Sequence, residues 1–522
     1  MRAAGVEIDP GRGELGATSE KTMTLGELLK GVELGAVDRP PDFDVTSIAY
    51  DSRRVKPGSL FFALQGEKLD GVEYVSDAVK RGAVAIASET PRRAWLNKET
   101  GWVELLSGSG RRGLAKAAAN FYGRPADALK LVGVTGTNGK TTTTFVVDAI
   151  IRAAGFTTGL IGTTGYRTPA GARPALNTTP ESLDLQQMFA EIRDAGGSHA
   201  TLEASSHALA MERLTGCHFA VAVFTNLTRD HLDYHKTFEE YFAAKRLLFE
   251  GTGAGAPDTG VINIDDPYGA RLAGLAHKTL TYGLKGAPDL TAKKFNLSFS
   301  GVQFTAQTPA GKIEVDAPLV GRINVYNILG AIGAAIALDI PSTKIEQGLA
   351  SLPQVPGRFE RVDEGQPFLV VVDYAHTDDA LRNLISTARE INPGARIITL
   401  FGAGGERDRA KRPMMGEAAG SLSDLVVLTS DNPRSEDPLL IINDVAVGLQ
   451  KANANYRVEP DREKALGIAI DQARAGDIVL LAGKGHETYQ VLRDGPVDFD
   501  DREKARAILE RKGFARSKPR AT

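Results

Sequence analysis

The stretch Gly136-Thr137-Asn138-Gly139-Lys140-Thr141-Thr142 decides how this chain is read. It directly follows a continuous apolar run, Leu131-Val132-Gly133-Val134, and directly precedes an apolar-periodic stretch over 142–154 that Gly155 closes as a C-cap. Strand, glycine turn and helix in that order make a phosphate cradle. Glycines let backbone amides approach phosphate oxygens, and the helix N-terminus adds partial positive charge. Lys140 reaches for terminal phosphates and the Thr141 hydroxyl for Mg²⁺. The strict pattern places a glycine at position 134, where this chain has Val134, so the loop is a variant. The expectation is a nucleoside triphosphate site built from Gly136, Thr137, Asn138, Gly139, Lys140, Thr141 and Thr142.

The same arrangement, a short apolar run followed at once by polar or glycine residues, recurs at 200–202, 220–224, 368–372, 397–401, 425–428 and 478–481. Runs of this length without alternation suit parallel strands covered on both faces. They alternate with helical patterns, which predicts an α/β fold. In such sheets ligands bind beyond the carboxyl ends of the strands, so the residues after each run are placed for chemistry. Breaks near Gly123-Arg124-Pro125-Ala126-Asp127 and Leu352-Pro353-Gln354-Val355-Pro356-Gly357 divide the chain. The expected organisation is an extension over 1–22 and domains over 23–127, 128–353 and 354–522.

Composition narrows the classes. The chain has 522 residues with 62 Lys plus Arg against 65 Asp plus Glu, so it lacks the basic field of a nucleic-acid binder. The longest weakly polar stretch, 328–340, is too short for a bilayer, and the N-terminus lacks the apolar core of a signal peptide. The single cysteine, Cys217, sits in an apolar context and reads as a buried small hydrophobe. A cytoplasmic protein acting on small molecules, with neither nucleic acid nor membrane as partner, is the expectation.

Five of the eight histidines fall between His199 and His235. Glu203 ends one apolar run and His231 lies just past the next. If both strands neighbour the phosphate-loop strand, their oxygen and imidazole nitrogen face the terminal phosphates and can hold magnesium. The spacing matches no zinc pattern.

These residues carry a family resemblance. The phosphate loop, Glu203-Ala204-Ser205-Ser206-His207 and Thr225-Asn226-Leu227-Thr228-Arg229-Asp230-His231-Leu232-Asp233-Tyr234-His235 resemble the signatures of the Mur ligases, the ATP-dependent amide-forming enzymes of peptidoglycan precursor synthesis. Asn177-Thr178-Thr179-Pro180, Asp373-Tyr374-Ala375-His376 and Asp431-Asn432-Pro433-Arg434 resemble the branch that adds the third residue of the peptide. The resemblance implies three domains, with a central P-loop parallel-sheet ATPase domain, an N-terminal uridine-binding domain and a Rossmann-like C-terminal domain that takes the amino acid. It implies Thr141, Glu203, His231 and Lys245 as ligands of two magnesium ions, with Lys245 carried as a carbamate made from CO₂. Lys140, Lys245, His231 and Glu203 would be catalytic. Asn327, Arg358, Asp373 and His376 would join the ATP site. Ser52, Asn177, Thr178, Thr179, Ser205 and Arg213 would hold UDP-N-acetylmuramoyl-L-alanyl-D-glutamate. Two departures stand out: Met211 replaces a polar glutamine at the substrate, and Asp378 replaces a proline after Thr377, leaving that turn less rigid.

The amino acid is read from one motif. meso-Diaminopimelate is lysine with a further carboxylate at its far end, and a planar guanidinium forks onto a carboxylate. Arg434 would reach outward from the sheet edge, with Arg407 as a second guanidinium. Asp431 and Asn432 would receive the distal ammonium, while Pro433, Gly483 and Glu487 complete the pocket. The implied reaction phosphorylates the D-glutamate γ-carboxylate with ATP and lets the diaminopimelate amine displace phosphate, in a monomer. The alternatives are the L-lysine-adding homologue, a folylpolyglutamate synthetase, a P-loop ATPase switch and a non-catalytic binding module.

Overall fold

The computed structural model describes residues 22–66, 69–92 and 97–514. Of the expected extension over 1–22, all but Thr22 lies outside the described residues.

Three larger sheets follow one another along the chain. The first orders its strands Leu34–Val37, Gly101–Leu105, Ala83–Ser88, Ser59–Phe62 and Ser47–Ala49, parallel except for the first. Helix Gly110–Phe121 covers it with Leu114, Ala117 and Ala118 against Leu60, Phe62 and Val103.

The second sheet holds the phosphate loop. Thr158–Gly162, His199–Glu203, Lys130–Thr135, Phe219–Phe224, Thr259–Asn263 and Lys278–Tyr282 run parallel in that order, and two short antiparallel strands extend the first edge. The apolar runs have no polar alternation because both faces are covered. Val132 and Val134 pack on one side with helices Lys140–Ala153 and Arg322–Ala337. Leu131, on the other, meets Ser182–Asp194 and Phe238–Glu250. The Ala/Gly-rich stretch becomes most of helix Arg322–Ala337, buried nearly throughout. Gly330 lets it approach closely, since a Cβ there would lie 3.1 Å from the Tyr282 ring.

A three-stranded antiparallel sheet, Thr291–Ser298, Gly301–Thr308 and Gly311–Ala317, packs Val302, Phe304, Ala306 and Ile313 onto the same core. It was not read from the sequence. The third large sheet orders Glu360–Val362, Leu369–Asp373, Ile478–Ala482, Ile397–Phe401, Leu425–Leu428 and Tyr456–Val458, parallel except for the first. Helices cover both of its faces.

Ion pairs Arg54–Asp184 at 2.7 Å, Arg111–Glu181 at 2.9 Å and Arg112–Glu212 at 2.7 Å join the first unit to the second. The second and third sheets turn the carboxyl ends of their strands toward one another across a cleft. Among the described residues no helix is long and apolar enough to cross a membrane.

Candidate active site

The cleft has a volume of about 550 Å³ and is lined from both sheets. On the central side the chain leaves Lys130–Thr135, turns through Gly136 and Gly139, and enters helix Lys140–Ala153. Lys140 and Thr141 are therefore in the first turn of the helix, not in the loop before it. Gly139 has φ +88°, and a Cβ there would overlap the side-chain oxygen of Asn327, so only glycine fits. The loop is pinned by Asn226, whose backbone oxygen accepts from Thr137 N at 2.8 Å and whose side chain accepts from Asn138 N at 2.9 Å.

The Lys140 ammonium donates to the carbonyls of Gly136 and Thr137 at 2.9 and 2.8 Å. Burial lowers its pKa, against the pull of Glu203 and Asp230. Thr137, Asn138, Gly139, Thr141 and Thr142 line the cleft, whereas Gly136 does not; its carbonyl is shared by Lys140 and Lys245.

Glu203 and His231 both lie beside Lys140. Strands His199–Glu203 and Phe219–Phe224 pair with the phosphate-loop strand on its two sides, so both chains emerge beside Lys140. Glu203 Oε1 accepts from Thr141 Oγ1 at 3.0 Å and from Thr163 N at 2.8 Å, and Oε2 from Thr163 Oγ1 at 3.1 Å. Burial keeps the His231 imidazole neutral, with Asp230 pulling the other way. Lys245, on helix Phe238–Glu250, is 1 % exposed; its amine donates to Gly136 O at 2.8 Å and lies 4.4 Å over the Tyr241 ring. Burial and the nearby Lys140 hold its pKa well below the ordinary lysine range.

Among the described residues no group of three or more His, Cys, Asp or Glu side chains is gathered to hold a metal. A hydroxyl, a carboxylate and a neutral imidazole do form a donor set for a hard cation, with Thr141 and Glu203 already within 3.0 Å. The residues thus fit magnesium, and Lys245 joins them only if its amine becomes an anion.

Next to Glu203, Thr179 Oγ1 donates to the Glu203 carbonyl at 2.6 Å and accepts from Ser205 N at 3.1 Å. Thr178 Oγ1 lies 3.1 Å from Thr163 Oγ1, and Arg213 Nη1 donates to Thr179 O at 2.9 Å. Asn177 completes this wall. Met211 also lines it, and its sulfur lies 3.7 Å from Arg213 Nη2, so the residue that replaces glutamine supports the arginine. Ser52 is not in this cleft; it opens a short 3-10 helix, Ser52–Arg54, in the first unit and is buried there.

The C-terminal side contributes Arg358, whose Nη2 donates to Thr141 Oγ1 at 3.1 Å. Asp373 accepts from the backbone N–H groups of Phe359 and Ala375 at 2.7 and 2.8 Å. His376 Nε2 lies 4.0 Å from Asp230, and Asn327 donates to Asn324 at 2.8 Å. The expected loose turn at Asp378 is a helix start instead: Thr377 N-caps Asp378–Ile391, and an aspartate in that first turn suits the helix dipole.

The amino-acid motif needs two corrections. Strand Leu425–Leu428 is flanked on both sides, so Arg434 does not reach out from a sheet edge. It sits at φ +55° and donates to Gly405 O at 2.7 Å. Asp431 and Asn432 are not waiting for a distal ammonium alone. Lys484 already supplies one, 3.7 Å from Asp431 and 3.1 Å from Asn432 Oδ1. Arg407, Arg434, Gly483 and Glu487 line the cleft, while Pro433 does not. Lys484, Lys411, Thr163 and Asp230 were missed as site residues. Asp230 lay inside the 225–235 motif and Lys484 next to Gly483, so their charge was the available signal.

Comparison with known proteins gives three family matches along the chain. Residues 44–122 match the family described as "Mur ligase family, catalytic domain", 134–335 the Mur ligase middle domain, and 357–485 the "Mur ligase, glutamate ligase domain". A protein of Solibacter usitatus (strain Ellin6076) named UDP-N-acetylmuramoyl-L-alanyl-D-glutamate--2,6-diaminopimelate ligase is 54% identical over 94% of this chain and 99% of its own. A protein of the same name from Geobacillus thermodenitrificans (strain NG80-2) is 46% identical over 94% of this chain and 99% of its own. A solved structure of a ligase of that name superposes with a TM-score of 0.63 at 32% identity, covering 94% of this chain and all of its own.

Proposed function

The chain belongs to the Mur ligase family, and from that premise we propose that it is an ATP-dependent acid–amino-acid ligase joining meso-diaminopimelate to UDP-N-acetylmuramoyl-L-alanyl-D-glutamate. The observation that carries this reading is the bridge from Arg358 to Thr141, which sets the amino-acid side of the cleft against the phosphate loop. Similarity to the named relatives over nearly the full length supports the choice of amino acid.

In this reading Lys140 and Arg358 neutralise charge on the γ-phosphoryl group of ATP as the D-glutamate γ-carboxylate attacks phosphorus. ADP leaves and an acyl phosphate forms. Catalysis of such a transfer is mostly positioning and electrostatics. Asn177, Thr178, Thr179, Ser205 and Arg213 hold the peptide end of the substrate, and Ser52 in the first unit takes its uridine end. Asn327, Asp373 and His376 hold the nucleotide. The diaminopimelate amine then adds to the activated carbonyl, and the tetrahedral intermediate expels phosphate. Arg407 and Arg434 grip the distal carboxylate, and Asp431, Asn432, Gly483 and Glu487 form the remaining pocket.

Two magnesium ions would be held by Thr141, Glu203, His231 and Lys245, and magnesium bound there supplies positive charge to the phosphate oxygens. Lys245 would contribute as a carbamate. Its neutral, buried amine is the form that adds to CO₂, and the product is an anion. The proposal extends to domains over 23–127, 128–353 and 354–522 and to a monomer working in the cytoplasm, where both substrates are water-soluble small molecules.

The test supplies purified protein with ATP, Mg²⁺, the UDP-muramoyl dipeptide and either diaminopimelate or L-lysine, and weighs the product by mass spectrometry. A diaminopimelate tripeptide with one ADP per product is expected. Preferential ligation of lysine, or ADP release independent of amino acid, overturns the reading.

A further inference from the structure

We infer that Lys484 is a positioning residue for amino-acid selection: its buried ammonium fixes which end of the Asn432 side-chain amide faces Glu487 and the cleft. The inference rests on the ligase reading above and concerns how that site tells one amino acid from another.

Lys484 follows strand Ile478–Ala482 and its side chain is wholly buried. Its Nζ lies 3.1 Å from Asn432 Oδ1 and 3.0 Å from Glu487 Oε2. An ammonium has only donors, so it must meet the oxygen of the amide and never the nitrogen. Val491 N donates to that same oxygen at 2.9 Å. With Oδ1 taken twice, the amide nitrogen has one orientation left, and it donates to Glu487 Oε2 at 3.0 Å. Glu487 Oε2 therefore receives two donors. Its other oxygen accepts no hydrogen bond among the described residues, and Glu487 lines the cleft.

The consequence is a pair with fixed polarity: an amide N–H donor beside a carboxylate acceptor. That pair complements an amino-acid terminus, which offers a carboxylate and an ammonium side by side. Without the ammonium at 484 only the Val491 N–H still holds the amide oxygen, and the amide turns over more easily. It would then present oxygen next to the Glu487 carboxylate, a surface of acceptors only, suited to a bare ammonium such as the end of lysine. A buried polar group built to donate rejects a ligand that cannot accept, so the polarity carries selectivity.

The test measures Lys484→Met, Lys484→Arg and Asn432→Asp with diaminopimelate and L-lysine as alternative acceptors. For Lys484→Met the KM for diaminopimelate should rise at least tenfold and the diaminopimelate-to-lysine ratio of kcat/KM should fall at least tenfold. The KM values for ATP and the UDP-muramoyl dipeptide should stay within twofold. Lys484→Arg, which still offers donors, should recover part of the ratio. Asn432→Asp keeps the bond to Lys484 but loses the donor, so it should show the same loss of selectivity even if Lys484→Met fails to fold. An unchanged ratio in Asn432→Asp, or a uniform rise of all three KM values in the Lys484 variants, overturns the inference. Failure of the wild-type chain to ligate diaminopimelate would instead overturn the ligase reading.

Discussion

The side-chain amide of Asn138, in the phosphate loop, donates to Asp379 Oδ2 at 2.9 Å, joining the loop to the first turn of helix Asp378–Ile391 on the opposite sheet. Thr228 Oγ1 and Asn383 Nδ2 approach the same oxygen at 3.4 and 3.3 Å. The contact ties the position of the C-terminal unit to the loop proposed to carry the triphosphate. A hydrogen bond to a charged acceptor is worth roughly 1.5–3 kcal/mol, so Asp379→Ala should lower kcat/KM for the amino acid about 10- to 100-fold. Binding of the UDP-muramoyl dipeptide, followed by calorimetry, should not change. Wild-type turnover by this variant would mean the contact plays no part in assembling the site.

Gly162 stands beside Glu203, the acid of the proposed metal set. A Cβ at 162 would overlap Oε1 of Glu203, the oxygen that Thr141 and Thr163 also reach. Gly162→Ala should therefore push the carboxylate aside at a cost of about 1–3 kcal/mol in stability. The magnesium concentration needed for half-maximal rate should rise about tenfold or more. An unshifted magnesium requirement would remove Glu203 from the metal site.

Lys245 offers a direct spectroscopic check. Its amine is buried beside Lys140, which favours the neutral form that attacks CO₂. Protein equilibrated with ¹³CO₂ should show one protein-bound carbamate carbonyl resonance, lost in Lys245→Met and on purging CO₂. Activity should fall in parallel on purging. A spectrum without that resonance, in protein that remains fully active, would leave Lys245 a simple amine.

His199 gives a pH dependence of stability. The ring is 2 % exposed and lies 4.6 Å from Phe156, and burial together with Lys130 lowers its pKa from 6.5 to about 4. The unfolded chain then binds the additional proton between these values, so its contribution is complete above about pH 7 and is lost as pH falls toward 4. At 1.36 kcal/mol per pKa unit the loss is about 3 kcal/mol. Urea unfolding of His199→Gln should lose that much less stability than the wild type between pH 7 and 4. Parallel curves for the two proteins would contradict the assignment.

Much of this geometry was readable beforehand where local rules act alone. The unalternated runs ending at Val134, Leu202 and Phe224 became neighbouring parallel strands because each is buried on both faces. The glycines of the phosphate loop announced its turn because a Cβ at Gly139 has nowhere to go. What stayed hidden depends on contacts far apart in sequence. Arg434 looked like a free fork until Gly405 was brought to it, and Lys484 carried no reading until Asn432 and Glu487 closed around it. The antiparallel sheet over 291–317 escaped because its inward residues find their partner in a later helix, Arg322–Ala337.

The claim beneath the whole account is that the peptide carboxylate takes the phosphoryl group from ATP. UDP-muramoyl dipeptide labelled with ¹⁸O in the D-glutamate γ-carboxylate tests it most directly, by mass analysis of the phosphate released during one turnover. One ¹⁸O atom per phosphate is expected, carried over when the amine breaks the acyl phosphate. Phosphate free of the label, formed together with the amide, would contradict the mechanism.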